Sequence, residues 1–590
     1  MLPKRNLLIV DDEEDMVLGL RKTFTKEGYN VDTAGDGLDA VGKLEKGNYD
    51  IVISDLKLPR LDGIGLLEKT KNVKPQAIFI MITGYGTVES AIKALKLGAF
   101  DYVTKPFALE QLTGVVKKAV SSIPETPAKG TEEPKDENGN GIVVIGGSAA
   151  GLTAAITARR HYPDKKITLV RKEEKVLIPC GIPYIFGTVG TPEKNLIPDA
   201  ALEKNNINLV IKEVAAIDRE SKVITAGEGD KLEYDKLIIA TGSLPIMPPI
   251  PGSDKENVFA VHKEIPLIEE IQKRLKNVKN LIVIGGGFIG VEFADECHKA
   301  GIENVTIVEM LPQCLMLAYD EEFCEEARNV LESRGVKLIT EARVDEIVGN
   351  GSVSGVKLAD GRVLPADAVI VGIGARANID LAKNAGLALG PTGGIVVDGT
   401  MKTSDDDIYT CGDCAEKVSF FGSRPSRLKL ASIAAAEARI AGANLYGITR
   451  ENIGTVGVWA TAIGELAFAG VGLTERMAGN LDYDIAVGTA EAPNRHPGGM
   501  PGMAPTKVKL IFDRRSHLLL GAEAMGGHCI AEMINIASAC IQGKMTGDDI
   551  ATFQMGTHPA LTASPIAYQF VNAAENALQA IRKTRVASAK

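Results

Sequence analysis

Leu281–Gly290 reads LIVIGGGFIG. Its four branched apolar residues predict a short buried strand, and the residues through Val291–Lys299 predict a helix. Between the two, Gly285, Gly287 and Gly290 stand in G-x-G-x-x-G spacing. A strand, a glycine turn and a helix in that order let backbone N–H groups and the helix N-terminus meet a pyrophosphate. Val305–Val308 is the next strand, and it ends in Glu309, about 20 residues after the loop as a dinucleotide fingerprint requires. A carboxylate there accepts from a ribose 2′-hydroxyl and repels a 2′-phosphate, which favours NADH over NADPH. Glu292, on the opening of the helix, is expected to face the nicotinamide side.

A second loop of this kind lies upstream. Gly141–Ile145 predicts a strand and Ala149–Arg160 a helix, with GGSAAG at 146–151 between them. Gly146 and Gly151 hold the outer positions, and Ser148 takes the second glycine slot. The following strand, Ile167–Val170, ends at Arg171 where an acid would bind a ribose, so Glu173 or Glu174 is the expected substitute. Ile238–Gly242 (IIATG, with Thr241 and Gly242) and Val371–Asn378 (VGIGARAN, with Gly374) are further strand–turn units. Asp407–Ala415, DIYTCGDCA, sets Asp413 at a strand–helix junction, suited to hydrogen bonding a polyol such as a ribityl chain. Cys411 and Cys414 read as part of that turn rather than as a metal or redox pair, since no second C-x-x-C exists.

Between the two loops lies Val176–Tyr184, VLIPCGIPY. Pro179, Gly181 and Pro183 make a rigid turn that presents Cys180, and a thiol on a turn near a helix N-terminus tends toward thiolate. The residue five on is Ile185, so no disulfide closes across the next turn. A single redox cysteine cycles through a sulfenate, a persulfide or a mixed disulfide.

At 590 residues the chain is too long for one core and suggests about four domains. The net charge of −10 argues against bulk nucleic-acid or anionic-membrane binding. No run of about 18 apolar residues predicts a membrane span, no signal peptide is read at the N-terminus, and the eight scattered cysteines form no disulfide framework. A reducing cytoplasmic setting is expected. Residues 121–140 are charged and proline-bearing, with too little apolar surface to fold, and read as a tether.

Residues 1–120 alternate strand and helix, which implies a parallel sheet covered on both faces. Asp11, Asp12, Asp55, Thr83 and Lys105 all fall at predicted strand ends, where such sheets carry their working residues. Three converging carboxylates repel unless a cation sits among them, and Mg²⁺ fits. This segment resembles the response-regulator receiver domains, through Asp11/Asp12, Asp55 in SDLKLPRLDG, Thr83 in MITGYG, Tyr102, and Lys105 in KPF. The resemblance implies phosphorylation of Asp55 by a histidine kinase or phosphotransfer protein, with Thr83 and Lys105 responding. No basic or helix-turn-helix segment follows, so DNA output is not expected.

From 141 to 445, the order of first glycine loop, cysteine, ATG, second loop, G-x-G-x-R-x-N and G-D resembles the FAD-dependent pyridine nucleotide-disulfide oxidoreductases. The single cysteine in PCGIPY resembles the branch of coenzyme A-disulfide reductases, NADH oxidases, NADH peroxidases and NAD(P)H sulfur oxidoreductases. The resemblance implies FAD on Gly146, Gly151 and Asp413, and NADH on Gly285, Gly290 and Glu309. It further implies a homodimer, with a small thiol, disulfide or polysulfide as substrate. Ala149 stands where peroxidase members carry histidine, Val176–Pro179 lacks the S-F-x-N of many coenzyme A-disulfide reductases, and no C-terminal rhodanese-like segment is evident. In the C-terminal part, strands around Thr455–Thr474, Lys507–Phe512 and Leu518–Ala522 and helices at Ile530–Gln542 and Ala563–Leu578 resemble the family's dimerisation domain. His558 in Thr557-His558-Pro559 is a candidate acid–base group, although Ala563 stands where two-cysteine relatives carry a supporting Glu.

The expected fold is therefore α/β. A flavodoxin-like doubly wound receiver (1–120) and a linker (121–140) precede two Rossmann-like dinucleotide domains. The FAD domain is discontinuous (141–255 and 376–445) and encloses the NAD(P)H domain (256–375). An α+β dimerisation domain (446–590) completes the chain.

Overall fold

A computed structural model describes residues 5–74, 77–83, 99–105, 107, 109–121 and 141–588. The chain forms two compact units, Met1–Lys135 and Asp136–Lys590. The tether expected at 121–140 lies, apart from Ser121, outside the described residues, as do residues 84–86 of the MITGYG signature.

The first unit holds a five-stranded parallel sheet. Its order is Asn30–Ala34, Asn6–Val10, Ile51–Asp55, Ile78–Thr83, Asp101–Thr104. Of the central strands, Ile51–Asp55 is buried throughout and Ile78–Thr83 at every residue after Ile78, as expected for a sheet covered on both faces. Two apolar layers flank it, one around Leu8, Val52 and Phe79, the other around Ile9, Phe24 and Ile80.

In the second unit the same plan is used twice. The first sheet runs Asn208–Ile211, Ile167–Arg171, Ile142–Ile145, Lys236–Ile239, Ile408–Thr410, all parallel. The other runs Lys337–Ile339, Asn304–Val308, Asn280–Ile284, Ala368–Val371, Val258–Ala260, also parallel. Each is accompanied by a three-stranded antiparallel sheet, at Val214–Glu233 and at Val344–Pro365. The last strand of the first sheet returns only after the whole second sheet has been built. Ser243–Pro245 and Ala375–Ala377 pair antiparallel where the chain leaves and returns. Thr241 Oγ donates to Asn378 O at 2.7 Å across this neck.

The last part is a five-stranded antiparallel sheet, ordered Val458–Ile463, Leu466–Gly472, Leu519–Gly526, Pro505–Asp513, Ile485–Pro493. Helices Ile530–Gln542 and Gln569–Ser588 belong to the same apolar core. The final helix starts at Gln569 rather than Ala563, because Pro565 opens a short 3-10 turn ahead of it.

Helices Ala149–His161 and Ala431–Ala443 pack closely behind the first glycine loop, and alanine is the main contact residue. A Cβ on Gly442 would stand 2.5 Å from Ala154 O. Gly442→Val is expected to push the helices apart at a cost of about 1–3 kcal/mol, read as an unfolding midpoint at lower denaturant. An unchanged midpoint would show that this contact gives way freely.

Candidate active site

Val176–Leu177 pairs with Leu196–Ile197, and two 3-10 turns follow, Pro179–Gly181 and Pro183–Phe186, each started by a proline. Asn195 fastens the first turn. Its side-chain amide donates to Ile178 O at 2.9 Å, and its carbonyl accepts from Ile178 N–H at 2.9 Å. Its amide oxygen lies 2.0 Å from where a Cβ on Gly181 would stand, so a side chain there would displace the Asn195 amide that fastens the turn. Ile182, Ile185 and Phe186 point into a core shared with Phe293 and Trp459. What remains outside is Cys180, exposed at the tip of an anchored turn.

The second glycine loop has a separate reason for each glycine. Gly285 has φ +105°, a conformation that side chains disfavour. A Cβ on Gly290 would stand 1.8 Å from Gly285 O, whereas one on Gly287 would meet open space. The first and last therefore shape the turn, and the middle one leaves room for a ligand to approach the backbone. Glu309 curls over this loop: its carboxylate accepts from Gly286 N–H at 2.5 Å and from Leu311 N–H at 2.7 Å. The first loop repeats the pattern with Gly146 (φ +115°) and Gly151, whose Cβ would stand 1.9 Å from Gly146 O. Ser148 is the N-cap residue of helix Ala149–His161, with no capping bond from its side chain. Gly242 and Gly374 also take positive φ, at the ends of the neck strands.

Arg171 is buried, and its guanidinium forms a bidentate pair with Asp199 at 2.6 and 2.7 Å. It also donates to the carbonyls of Glu173 and Glu174. The two glutamates thus engage Arg171 through their backbones, and the Glu173 carboxylate makes no hydrogen bond among the described residues.

Asp413 accepts from Ser243 Oγ at 2.7 Å, and Lys263 Nζ donates to the same hydroxyl at 3.0 Å. Its turn is held by a buried ion pair, Lys417–Glu437, at 2.7 Å with each side chain 3% exposed. Lys417 also donates to Gly412 O, and Glu437 accepts from Gly412 N–H. Cys414 bonds backbone oxygens through its thiol, and both cysteines of the C-x-x-C are fully buried free thiols.

Glu292 lies on helix Phe288–Lys299 and accepts from Thr461 Oγ at 2.8 Å. Burial, seconded by the like charge of Glu296, pushes its carboxyl up to about 7, against the lowering effect of the Thr461 bond. His558 is exposed; its Nδ1 accepts from Ala560 N–H at 3.2 Å, and Ala563 behind it is buried.

In the other unit, Lys105 Nζ donates to Asp11 and Asp55 at 2.8 Å each. Asp11, Asp12 and Asp55 each bring a carboxylate oxygen within 4.8 Å of the others. Burial raises the Asp11 carboxyl despite Lys105. The Lys105 ammonium is disfavoured by burial too, but the two carboxylates outweigh this and hold it above its ordinary range. Thr83 is buried at the end of its strand, and its carbonyl accepts from Lys105 N–H. The side chain of Tyr102 lies outside the described residues.

Sequence reasoning missed Asn195, Thr461, Asp199 and the Lys417–Glu437 pair. All act across distances in sequence at which no local pattern marks a partner.

These features recur in known proteins. Residues 140–438 match the pyridine nucleotide-disulphide oxidoreductase family, 458–566 its dimerisation domain, and 7–117 the response regulator receiver domain. An NADH oxidase of Methanocaldococcus jannaschii is 32% identical over 438 residues, covering 71% of this chain and 95% of that one. An NAD(P)H coenzyme A polysulfide/persulfide reductase of Pyrococcus horikoshii is 30% identical, covering 70% and 93%. Among solved structures, the NAD-dependent persulfide reductase of A. fulgidus superposes with a TM-score of 0.69 at 31% identity, covering 75% of this chain and 84% of that one. The chain belongs to the pyridine nucleotide-disulfide oxidoreductase family, as an FAD-dependent NAD(P)H oxidoreductase carrying a receiver domain.

Lys417→Met leaves Glu437 buried without its cation. It is expected to cost about 3–5 kcal/mol and to lower flavin retention on gel filtration, because the Asp413 turn loses its clamp. Lys417→Met/Glu437→Leu is expected to recover most of the stability.

Proposed function

We propose that the enzyme passes reducing equivalents from NADH through FAD to Cys180 and on to a small disulfide, polysulfide or persulfide. The observation that carries this reading is Cys180 itself. It is exposed on an anchored turn, and no cysteine in the chain forms a disulfide. The other seven are buried or half-buried, which leaves Cys180 the thiol best placed to meet an acceptor.

Each proposed cofactor site fits the residues present. Gly146, Ser148 and Gly151 would hold the FAD pyrophosphate, with Thr241, Gly242, Gly374 and Asp413 shaping the rest of its site and Glu173 at its ribose. Gly285, Gly287, Gly290 and Glu309 would hold NADH, with Glu292 toward the nicotinamide. Bound there, FAD supplies the exchange between a two-electron hydride donor and a thiol. The chain's own residues orient and exclude. Asn195 and the prolines fix Cys180, Glu309 disfavours a 2′-phosphate, and the Asp413–Ser243–Lys263 chain sets the polyol site. His558, exposed in one chain, would supply a proton to a leaving thiolate in a homodimer.

In the receiver, Asp55 would accept a phosphoryl group from a histidine kinase or phosphotransfer protein. Asp11, Asp12 and Asp55 form an all-oxygen donor set that fits Mg²⁺, and Thr83 and Lys105 would respond to the added charge. A second reading, O₂ as acceptor with Cys180 as a sulfenate, is supported by the likeness to an NADH oxidase.

Anaerobic NADH oxidation with polysulfide or a small disulfide is expected to run for many turnovers and to fall at least about 100-fold in Cys180→Ser. If turnover requires O₂ instead, the oxidase reading replaces the first. With a small phosphoryl donor and Mg²⁺, the wild type is expected to be labelled, and Asp55→Asn or a chelator to abolish the label. Labelling that survives Asp55→Asn would move the acceptor elsewhere.

A further inference from the structure

The strand after the first glycine loop ends in Arg171, whereas its counterpart in the second sheet, Asn304–Val308, is followed by Glu309. The two side chains occupy the same place beside their loops. A Cβ on Gly286 would stand 3.0 Å from Glu309 Oε2, and one on Gly147, the matching residue of the first loop, 2.3 Å from Arg171 Cδ. The aliphatic stem of Arg171 therefore lies where the second loop has a carboxylate. Its guanidinium continues beyond that place.

This guanidinium fixes a carboxylate of its own. The Arg171 side chain is 2% exposed, and a buried cation has to be paired. Asp199 meets both terminal nitrogens, at 2.6 and 2.7 Å, in the planar fork that sets orientation as well as distance. Two backbone carbonyls complete the surroundings: Nε donates to Glu173 O at 2.8 Å and Nη2 to Glu174 O at 2.7 Å.

Asp199 keeps spare capacity. Its side chain is 41% exposed. It stands at the start of helix Ala200–Lys204 without capping it through the side chain, and Arg171 is its one side-chain donor among the described residues. A carboxylate oxygen accepts more than one hydrogen bond, so each retains a site for an O–H donor. Glu173 and Glu174, which follow Arg171 in sequence, are held through their carbonyls. That pins their backbones and leaves their carboxylates undirected.

We propose that Asp199, beside Glu173, supplies the acid for the adenosine ribose of the flavin dinucleotide, and that Arg171 is the positioning residue that carries it there. The inference rests on the reading of the first loop as the FAD site. The pair is neutral as a unit. It brings an acceptor to the ribose hydroxyls without adding net negative charge next to a loop that faces a pyrophosphate.

The test uses the full chain loaded with FAD, or with FAD whose adenosine ribose is 2′-deoxy, and reads the dissociation constant from flavin fluorescence on dilution. The wild type is expected to hold FAD about 10-fold tighter than the analogue, the worth of one hydrogen bond to a charged acceptor. Asp199→Asn is expected to erase that preference. Any loosening of the fold acts on both flavins alike, so their ratio isolates the contact. Arg171→Met/Asp199→Leu removes the buried cation together with its partner. It is expected to melt close to the wild type and still to lack the preference, whereas Glu173→Gln is expected to keep it.

A preference that survives in Asp199→Asn would overturn the proposal, as would one lost in Glu173→Gln alone or a wild type that holds both flavins equally. Failure of the first-loop reading looks different. A Cβ on Gly151 would stand 1.9 Å from Gly146 O, so Gly151→Val distorts that loop. It is expected to take up no flavin while still binding NADH; full flavin loading in this variant would place FAD elsewhere.

Discussion

Helix Phe288–Lys299 is the element on which the second unit depends. Its first turn closes the dinucleotide loop, where Gly290 permits contact with Gly285 O at a distance no side chain tolerates. Its side packs against the Cys180 turn. Its acids reach the C-terminal sheet through Thr461 and Gly464 N–H. One rigid rod therefore sets the dinucleotide loop, the thiol and the C-terminal domain in mutual register. The shared core of Ile182, Phe186, Phe293, Tyr319, Trp459 and Phe468 has the same geography. A shift of the rod would move all three, and a close-packed interior resists that.

Buried charge serves the same end at a second place. Lys509, 2% exposed in the C-terminal sheet, meets Asp320 at 2.9 Å, Glu322 at 2.8 Å and Glu475 at 2.5 Å. Burial works against its ammonium, and the surrounding carboxylates outweigh it. Glu523, beside them, accepts from Asp320 N–H at 2.8 Å, and burial raises its carboxyl well above the usual range. Such groups cost desolvation and add little net stability, yet separating them leaves an uncompensated charge. They therefore oppose sliding between the second parallel-sheet domain and the C-terminal sheet more than they strengthen either. The Lys417–Glu437 pair does the same on a smaller scale, for a single turn.

Much of this was legible in the sequence because loops that approach phosphates need fixed spacing. G-x-G-x-x-G after a strand leaves few foldings, and the receiver acids and Lys105 recur at strand ends in order. The edges of elements were less legible: the antiparallel sheets at 214–233 and 344–365 went unread because their strands are short and half-exposed, and the nine-residue strand Ile485–Pro493 because its run of small residues hides the alternation of its faces. The site's supports were illegible for another reason. Arg171 at a position that calls for an acid looked like a defect. Its meaning comes from Asp199, 28 residues on, and no period links the two. Thr461 meets Glu292 across 169 residues, and neither residue type announces the other.

The joining of a receiver to this enzyme places a physical condition on any coupling between them. A phosphoryl group at Asp55, as proposed, would add charge beside Asp11 and compete for Lys105, which bridges both carboxylates. That change biases the receiver unit alone unless its two states differ in contact with the oxidoreductase or with a second chain. Both units belong to one chain, which raises the effective concentration of each near the other. Weak contacts would then suffice for coupling, provided they are made in one receiver state and lost in the other. The Cys180 turn is held by Asn195 and a shared core rather than by free loops. Regulation acting there has to work on access to the thiol or on the assembly of chains, because the geometry of the turn itself leaves little to adjust.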